Sequence, residues 1–337
     1  MVITKKSAFP GVTRRERQMA LDIAMKLGLP AIVGTWYFVD GYDGDDDNNG
    51  RTPWQAVKTY DTAYGLCTDG YGDGICILSR TVATTTYSTT IAEGIDWTKS
   101  GITTYGVCAG GFYNQRARIT FTAATSDYYM INVTGMNNRW ENVSFYTGND
   151  LSDAQVTTIK MAGNRNNFVN CDFKCTPATG SLYKCDLWFA GAHENTFKEC
   201  NFGNASFAQG NNAACHVYLS GTVGNGQNLF DRCTFIAQVT TGTAFGVLKG
   251  GAATALNGTM IFRDCLFNVW QANTGLTAMT SWFIGTAPTT GNIFIFCCGS
   301  NGYAAWDSAA GNDRVVVCNL NGATAEIPAA GIGVLAS

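Results

Sequence analysis

The sequence predicts an all-β chain wound as a right-handed parallel β-helix, with one short α-helix ahead of it. Three observations carry this. An eight-residue pattern that ends in F-x-x-C-x-F recurs along the chain. An alternating apolar run that ends in glycine precedes each copy. No helical rhythm lies between the two kinds of run from residue 125 to residue 300.

The first element is an arm, residues 1–35. Thr13 and Glu16 form a capping box, Leu21, Ala24 and Met25 give an apolar face, and Gly28 with Pro30 stops the helix. Through residue 27 the arm holds six Lys/Arg against two acids, or +4, and this leaves -7 of the net -3 for the remainder. It reads either as a cap over the open end of the tube or as an anchor on another, acidic protein surface. As an anchor its contacts are Arg14, Arg15, Arg17, Leu21 and Met25.

The solenoid follows over residues 36–318. It opens with "WYFVDGYDGDDDNNGRTPWQAVKTYDTAY", residues 36 to 64, and "GDGICILSRTV". Its repeats are "NRWENVSF" to Phe145, "NNFVNCDF" to Phe173, "NTFKECNF" to Phe202, "NLFDRCTF" to Phe235 and "MIFRDCLF" to Phe267. The glycine-terminated runs end at Gly135, Gly163, Gly191, Gly221, Gly250 and Gly285, spaced 28, 28, 30, 29 and 35 residues apart. Units of such a period cannot bury a core alone and must stack. Period-2 alternation makes the runs strands, lying about 4.8 Å from their copies in the next turn. Phe168, Phe197, Phe230 and Phe262 should then stack as one internal column, with Cys171, Cys200, Cys233 and Cys265 as another. The two residues between them turn the corner.

The opening stretch resembles that of the pectate-lyase-like β-helix superfamily. Val39-Asp40 ends a first strand, and a Gly/Asp/Asn-rich turn runs from Asp43 to Gly50. Pro53, Ala56, Lys58 and Thr59 form a Pro-x-x-Ala-x-Lys-Thr element, and a Gly-Asp strand leads to Leu78. With the repeats, the resemblance covers about residues 36 to 300. It implies the fold and leaves function open, because lyases, hydrolases, phage spikes and adhesins share it.

Counted back from each glycine, the third column reads Asn132, Lys160, Trp188, Tyr218, Val247 and Trp282, and the fifth Met130, Thr158, Asp186, His216, Phe245 and Thr280. Both columns are expected to face outward. An outward face this apolar calls for a covering partner, so Trp188, Tyr218 and Trp282 are expected to form either a subunit interface in a parallel trimer or a groove for sugar rings. Asp186 and His216 are the one acid/base pair expected on that face and the weak catalytic candidates. Glu199, Asp231, Arg232, Arg263 and Asp264 gather at the corners as a solvated row.

Asp45, Asp47 and Asn49 start an EF-hand-like loop whose twelfth position is Ala56 in place of a bidentate Glu, so they are weak calcium candidates and no metal is expected. No cofactor is implied. The 13 cysteines contain no zinc-type pair and read as reduced apolar fillers, with disulfides between neighbouring turns as the alternative. The four sequons, at Asn132, Asn142, Asn204 and Asn257, read as turn and strand residues. The tail, residues 319–337, is apolar and expected to pack on a neighbour or on the tube end.

A net charge of -3 gives no reason to expect nucleic acid, and no apolar run approaches the roughly 18 residues of a membrane span. The amino terminus lacks the apolar core of a signal peptide. A leaderless, low-charge β-helix with a basic arm looks similar to phage structural proteins. That likeness implies a non-enzymatic virion protein, a capsid decoration or short spike, with capsid or tail proteins and host polysaccharide as partners. The alternatives are a polysaccharide-degrading β-helix enzyme and a cell-surface adhesin.

Overall fold

The computed structural model describes residues 22, 26–82, 85–91, 93–108, 117–121, 129–147, 157–175, 185–203, 215–220, 224–238, 245–270, 281–303, 305–306 and 314–318. They wind into three parallel sheets that take one strand from each turn. A ten-stranded sheet runs from Trp36–Asp40 to Val315–Cys318. An eight-stranded sheet runs from Thr89–Ile91 to Gly299–Asn301, and a seven-stranded one from Ile95–Trp97 to Phe283–Gly285. One turn shows the route: Asn167–Val169, then Asp172–Cys175, then Cys185–Phe189, and back to Thr196–Lys198 beside the start.

The expected aromatic column is present. Phe168, Phe197, Phe230 and Phe262 are in register on adjacent strands of the ten-stranded sheet. Their rings stack at 5.0, 4.9 and 4.6 Å, and Trp140 extends the stack at 4.5 Å. A second column, Phe145, Phe173, Phe202, Phe235 and Phe267, faces it from the eight-stranded sheet. Edge-to-face contacts such as Phe173 on Phe197 at 5.9 Å join the two. Strands with one large apolar side chain per turn at a fixed register can therefore fill the tube by repetition alone.

The corner between these sheets has a specific backbone. The residue before each cysteine position is left-handed: Asn142, Asn170, Glu199, Arg232, Asp264 and Cys297 have φ between 51 and 58. Such residues cost about 1–2 kcal/mol each, so the turn must offset them, and the cysteines help. Each thiol donates to the carbonyl of the aromatic residue one turn back. Cys200 reaches Phe168 O at 3.4 Å, Cys233 reaches Phe197 O at 3.3 Å and Cys265 reaches Phe230 O at 3.6 Å. None of the thirteen cysteines is in a disulfide, and only Cys297 and Cys318 are exposed. A thiol reagent applied to the native protein should titrate these two rapidly, the half-buried Cys108 more slowly, and the ten buried thiols only after unfolding. Rapid labelling of the Cys171–Cys298 column would contradict the burial.

A second ladder stands at the entry to the ten-stranded sheet. Asn138, Asn166, Asn195 and Asn228 are buried one above another. The Asn195 Oδ1 accepts the Asn166 N–H at 2.9 Å, while its own N–H and Nδ2 donate to Asn228 Oδ1 at 3.0 and 3.1 Å. Removing one rung strands a buried N–H. Asn195→Ala should therefore lower stability by about 1–3 kcal/mol, read as a shift of the denaturant midpoint. No shift would mean that water replaces the rung.

Both ends of the core are closed by aromatics. The helix Tyr60–Leu66 inserts Tyr60, whose hydroxyl bonds Thr104 Oγ1 at 2.8 Å and accepts the Trp140 Nε1–H at 3.1 Å. At the other end Trp306 packs on Trp282 and Phe267 at 6.0 and 6.2 Å. Asp22, Lys26 and Leu27 are helical, and Gly28 follows at φ +66, where a helix stop was expected. Leu27, Leu29 and Ile32 pack against Trp36, Phe38, Ala56 and Cys76 on the outer side of the first strands. Arg14, Arg15, Arg17, Leu21 and Met25 lie outside the described residues, as do residues 319–337.

Candidate functional site

Asp186 and His216 are brought together but not on the surface. They are 1% and 0% exposed, which corrects the outward placement. Each sits second in its strand, Cys185–Phe189 and Cys215–Leu219, where the chain enters the seven-stranded sheet. The first three residues of both strands are buried. Alternation therefore starts one residue later than a straight strand would give, and the fifth column turns inward.

The pair is tightly held. His216 Nδ1 lies 2.7 Å from Asp186 Oδ2, and Asp186 Oδ1 accepts the Cys175 N–H at 2.8 Å. The backbone N–H of Gly203 also supports the carboxylate. Burial pushes the Asp186 carboxyl above its ordinary range, against the opposing pull of His216. Gly203, at φ +85, leaves the space for the imidazole, because a Cβ there would sit 2.5 Å from His216 Cε1. His216 Nε2 has no hydrogen-bond partner among the described residues. The neighbouring Cys185 thiol is also pushed up by burial. This cluster can share a proton internally, but a polymer cannot touch it.

Trp282 is likewise inside, at 0% exposure, packed edge-on to Phe262 at 5.0 Å. The cause is a two-residue slip. Leu219 pairs with Gly250, not Leu248, and Gly250 pairs with Gly285. Val247 and Trp282 therefore continue the inward column of Asp186 and His216.

The outward column of the seven-stranded sheet is Asp96, Asn132, Lys160, Trp188, Tyr218, Lys249 and Ile284. Trp188 and Tyr218 are half-buried there with ring centres 5.9 Å apart. The Lys160 ammonium lies between two rings, 5.1 Å from Trp188 and 5.4 Å from Tyr129. The Lys249 ammonium is 5.9 Å from Tyr218. Two cations thus bracket two aromatics along one strip. Lys249 escaped the sequence reading because the slip put Val247 in its place.

In the acidic turn the side-chain oxygens bind backbone. Asp45 Oδ1 accepts the Asp47 N–H at 3.1 Å, and Asn49 Oδ1 accepts the Arg51 N–H at 2.9 Å. Asp46 accepts from Lys58 N and Thr59 N at 2.9 and 2.8 Å, fixing the start of the Tyr60–Leu66 helix. No group of three His, Cys, Asp or Glu converges among the described residues. Of the corner charges expected to be solvated, Arg232 and Glu199 form an exposed pair at 2.8 Å, whereas Asp231 is buried and is reached at 2.8 Å by the exposed Arg263. The Arg263 hydrogen bond holds the Asp231 carboxyl below its ordinary range.

No family model and no curated protein matches this sequence. Solved structures do match in shape. The pectate lyase Pel9A overlays at a TM-score of 0.54 and 17% identity, covering 90% of this chain and 74% of that one. A rhamnogalacturonan lyase overlays at 0.51 and 13%, covering 86% and 73%. The ORF18 protein of Geobacillus virus E2 gives 0.39 and 12%, covering 84% and 62%, too loose an overlay to argue from. The stacked sheets, the aromatic columns and the two lyase overlays show a parallel β-helix fold similar to that of pectate lyases.

Proposed function

We propose that this protein is a non-enzymatic structural β-helix, carried on a phage virion as a capsid decoration or short spike, that contacts glycan along the Lys160–Trp188–Tyr218–Lys249 strip. The observation that supports this reading is the closure of the Asp186–His216 pair, which gives the acid/base chemistry a place in the core and leaves the outward strip cationic and aromatic. Such a strip suits recognition, since rings and ammonium groups bind a sugar without altering it. The Lys160 ammonium must shift for a sugar to stack on that face of Trp188.

Binding to immobilised polysaccharides tests the strip. Trp188→Ala should weaken binding by roughly tenfold, or about 1.4 kcal/mol, with no change in melting behaviour. Equal binding by the variant would remove glycan contact from this face.

The proposed assembly is a trimer, and light scattering should give about three times 36.1 kDa. The surface it would cover is an apolar column on the ten-stranded sheet: Leu229, Ile261, Phe294 and Val316, paired in register and all half-buried. In this reading the basic arm attaches the tube to a capsid or tail protein, so deleting residues 1–30 should abolish attachment and leave the tube folded. The rival reading, a polysaccharide-cleaving enzyme, draws on the two lyases that share the fold and predicts product from the wild-type protein.

A further inference from the structure

We propose that Cys297 and Cys318 are a modification site: a thiol pair that closes to an intrachain disulfide by exchange with a small-molecule disulfide. They are the only exposed cysteines of the thirteen, and they lie on adjacent turns. Cys318 pairs with Phe296, and the Cys297 N–H donates to Cys318 O at 3.2 Å. One residue step of about 3.8 Å and one strand step of about 4.8 Å set the two Cα atoms about 6 Å apart, within the ~4.4–6.8 Å that a disulfide spans.

Cys297 holds the left-handed corner position, φ +51, that polar Asn, Glu, Arg and Asp residues hold in the preceding turns. Its side chain therefore lies outside the sealed thiol column that Cys298 continues. Val315–Cys318 is the last strand of its sheet, paired on one side only among the described residues. The crosslink would fix that strand to the turn before it.

The chemistry is ordinary exchange. One protein thiolate attacks oxidised glutathione, forming a mixed disulfide and expelling a glutathione thiolate. The second protein thiolate then attacks the protein sulfur of that mixed disulfide and expels the other. Two protein thiols are oxidised, one glutathione disulfide is reduced to two thiols, and the two protons end on glutathione or solvent.

The test incubates the reduced full-length protein with oxidised glutathione, blocks the remaining thiols with N-ethylmaleimide, and reads intact mass and tryptic peptides. Trypsin separates the two cysteines, because Arg314 lies between them. The expected product has lost two hydrogens, carries no glutathione, and joins the Asp264–Arg314 and Val315–Ser337 peptides. Cys297→Ser should instead trap a single glutathione on Cys318, which separates Cys297 from its neighbour Cys298. Three outcomes would overturn the proposal: two stable glutathione adducts per chain, a disulfide-linked dimer on a non-reducing gel, or two thiols that stay free.

Discussion

His216→Ala should lower stability by about 3–5 kcal/mol, the cost of leaving a buried charge without its partner. Asp186 keeps its backbone donors Cys175 and Gly203 but loses the group that most opposes its desolvation. The sign with pH follows from the raised carboxyl. A carboxyl whose folded-state pKa lies above its unfolded value contributes most stability below the unfolded value and loses it as pH rises through the folded one. Without His216 the folded value climbs further, so the deficit of the variant should be smallest in acid and grow toward neutral pH. The double variant Asp186→Asn/His216→Ala removes the buried carboxyl together with its partner and should recover part of the loss. Urea denaturation of the wild type and the two variants across pH measures this. A pH-independent deficit would mean that the imidazole acts only as a packing group.

Phe197→Ala should cost about 3–5 kcal/mol. The ring is fully buried between Phe168 at 5.0 Å and Phe230 at 4.9 Å. It also takes edge contacts from Phe189 and Phe202 at 5.9 and 6.0 Å. Turns of a solenoid contact only their neighbours, so the damage should be local. Hydrogen exchange should speed up in Asn167–Val169, Thr196–Lys198 and Asn228–Asp231, while Trp36–Asp40 stays protected. Combined with Phe168→Ala, the loss should depart from additivity, since the two rings share a face. A uniform rise in exchange along the tube would show that it unfolds as one unit.

The repeated core was legible because a solenoid writes each contact several times. Phe168, Phe197, Phe230 and Phe262 share one offset from a cysteine, and that offset alone places them in one column. Register across the glycine-ended runs was harder. The first four runs pair as read, but the connections lengthen after Gly221, and glycines at similar spacing no longer mark equivalent positions. The slip kept the in/out parity of Leu248, so nothing in the hydrophobic pattern disclosed it. Asp186 and His216 were misplaced for another reason. They stand second in strands whose first three residues are all buried, and strict alternation holds only along regular strand.

The asparagine ladder was present in the text as an Asn two residues before Trp140, Phe168, Phe197 and Phe230. Asparagine is usually read as a turn residue, and only stacking makes its side chain a buried rung. The end plugs were not legible at all. Tyr60 and Trp306 owe their roles to residues far away in sequence, with Tyr60 bonded to Trp140 eighty positions on.

In the proposed function the acid/base pair serves the fold and the outward strip binds without cleaving. Incubating the wild-type protein with polygalacturonate and rhamnogalacturonan, and following chain length and new chain ends over time, tests it most directly. Retained chain length is expected even where binding is seen. Steady release of shortened product, lost in Trp188→Ala with the fold intact, would contradict it and establish the strip as part of an active site.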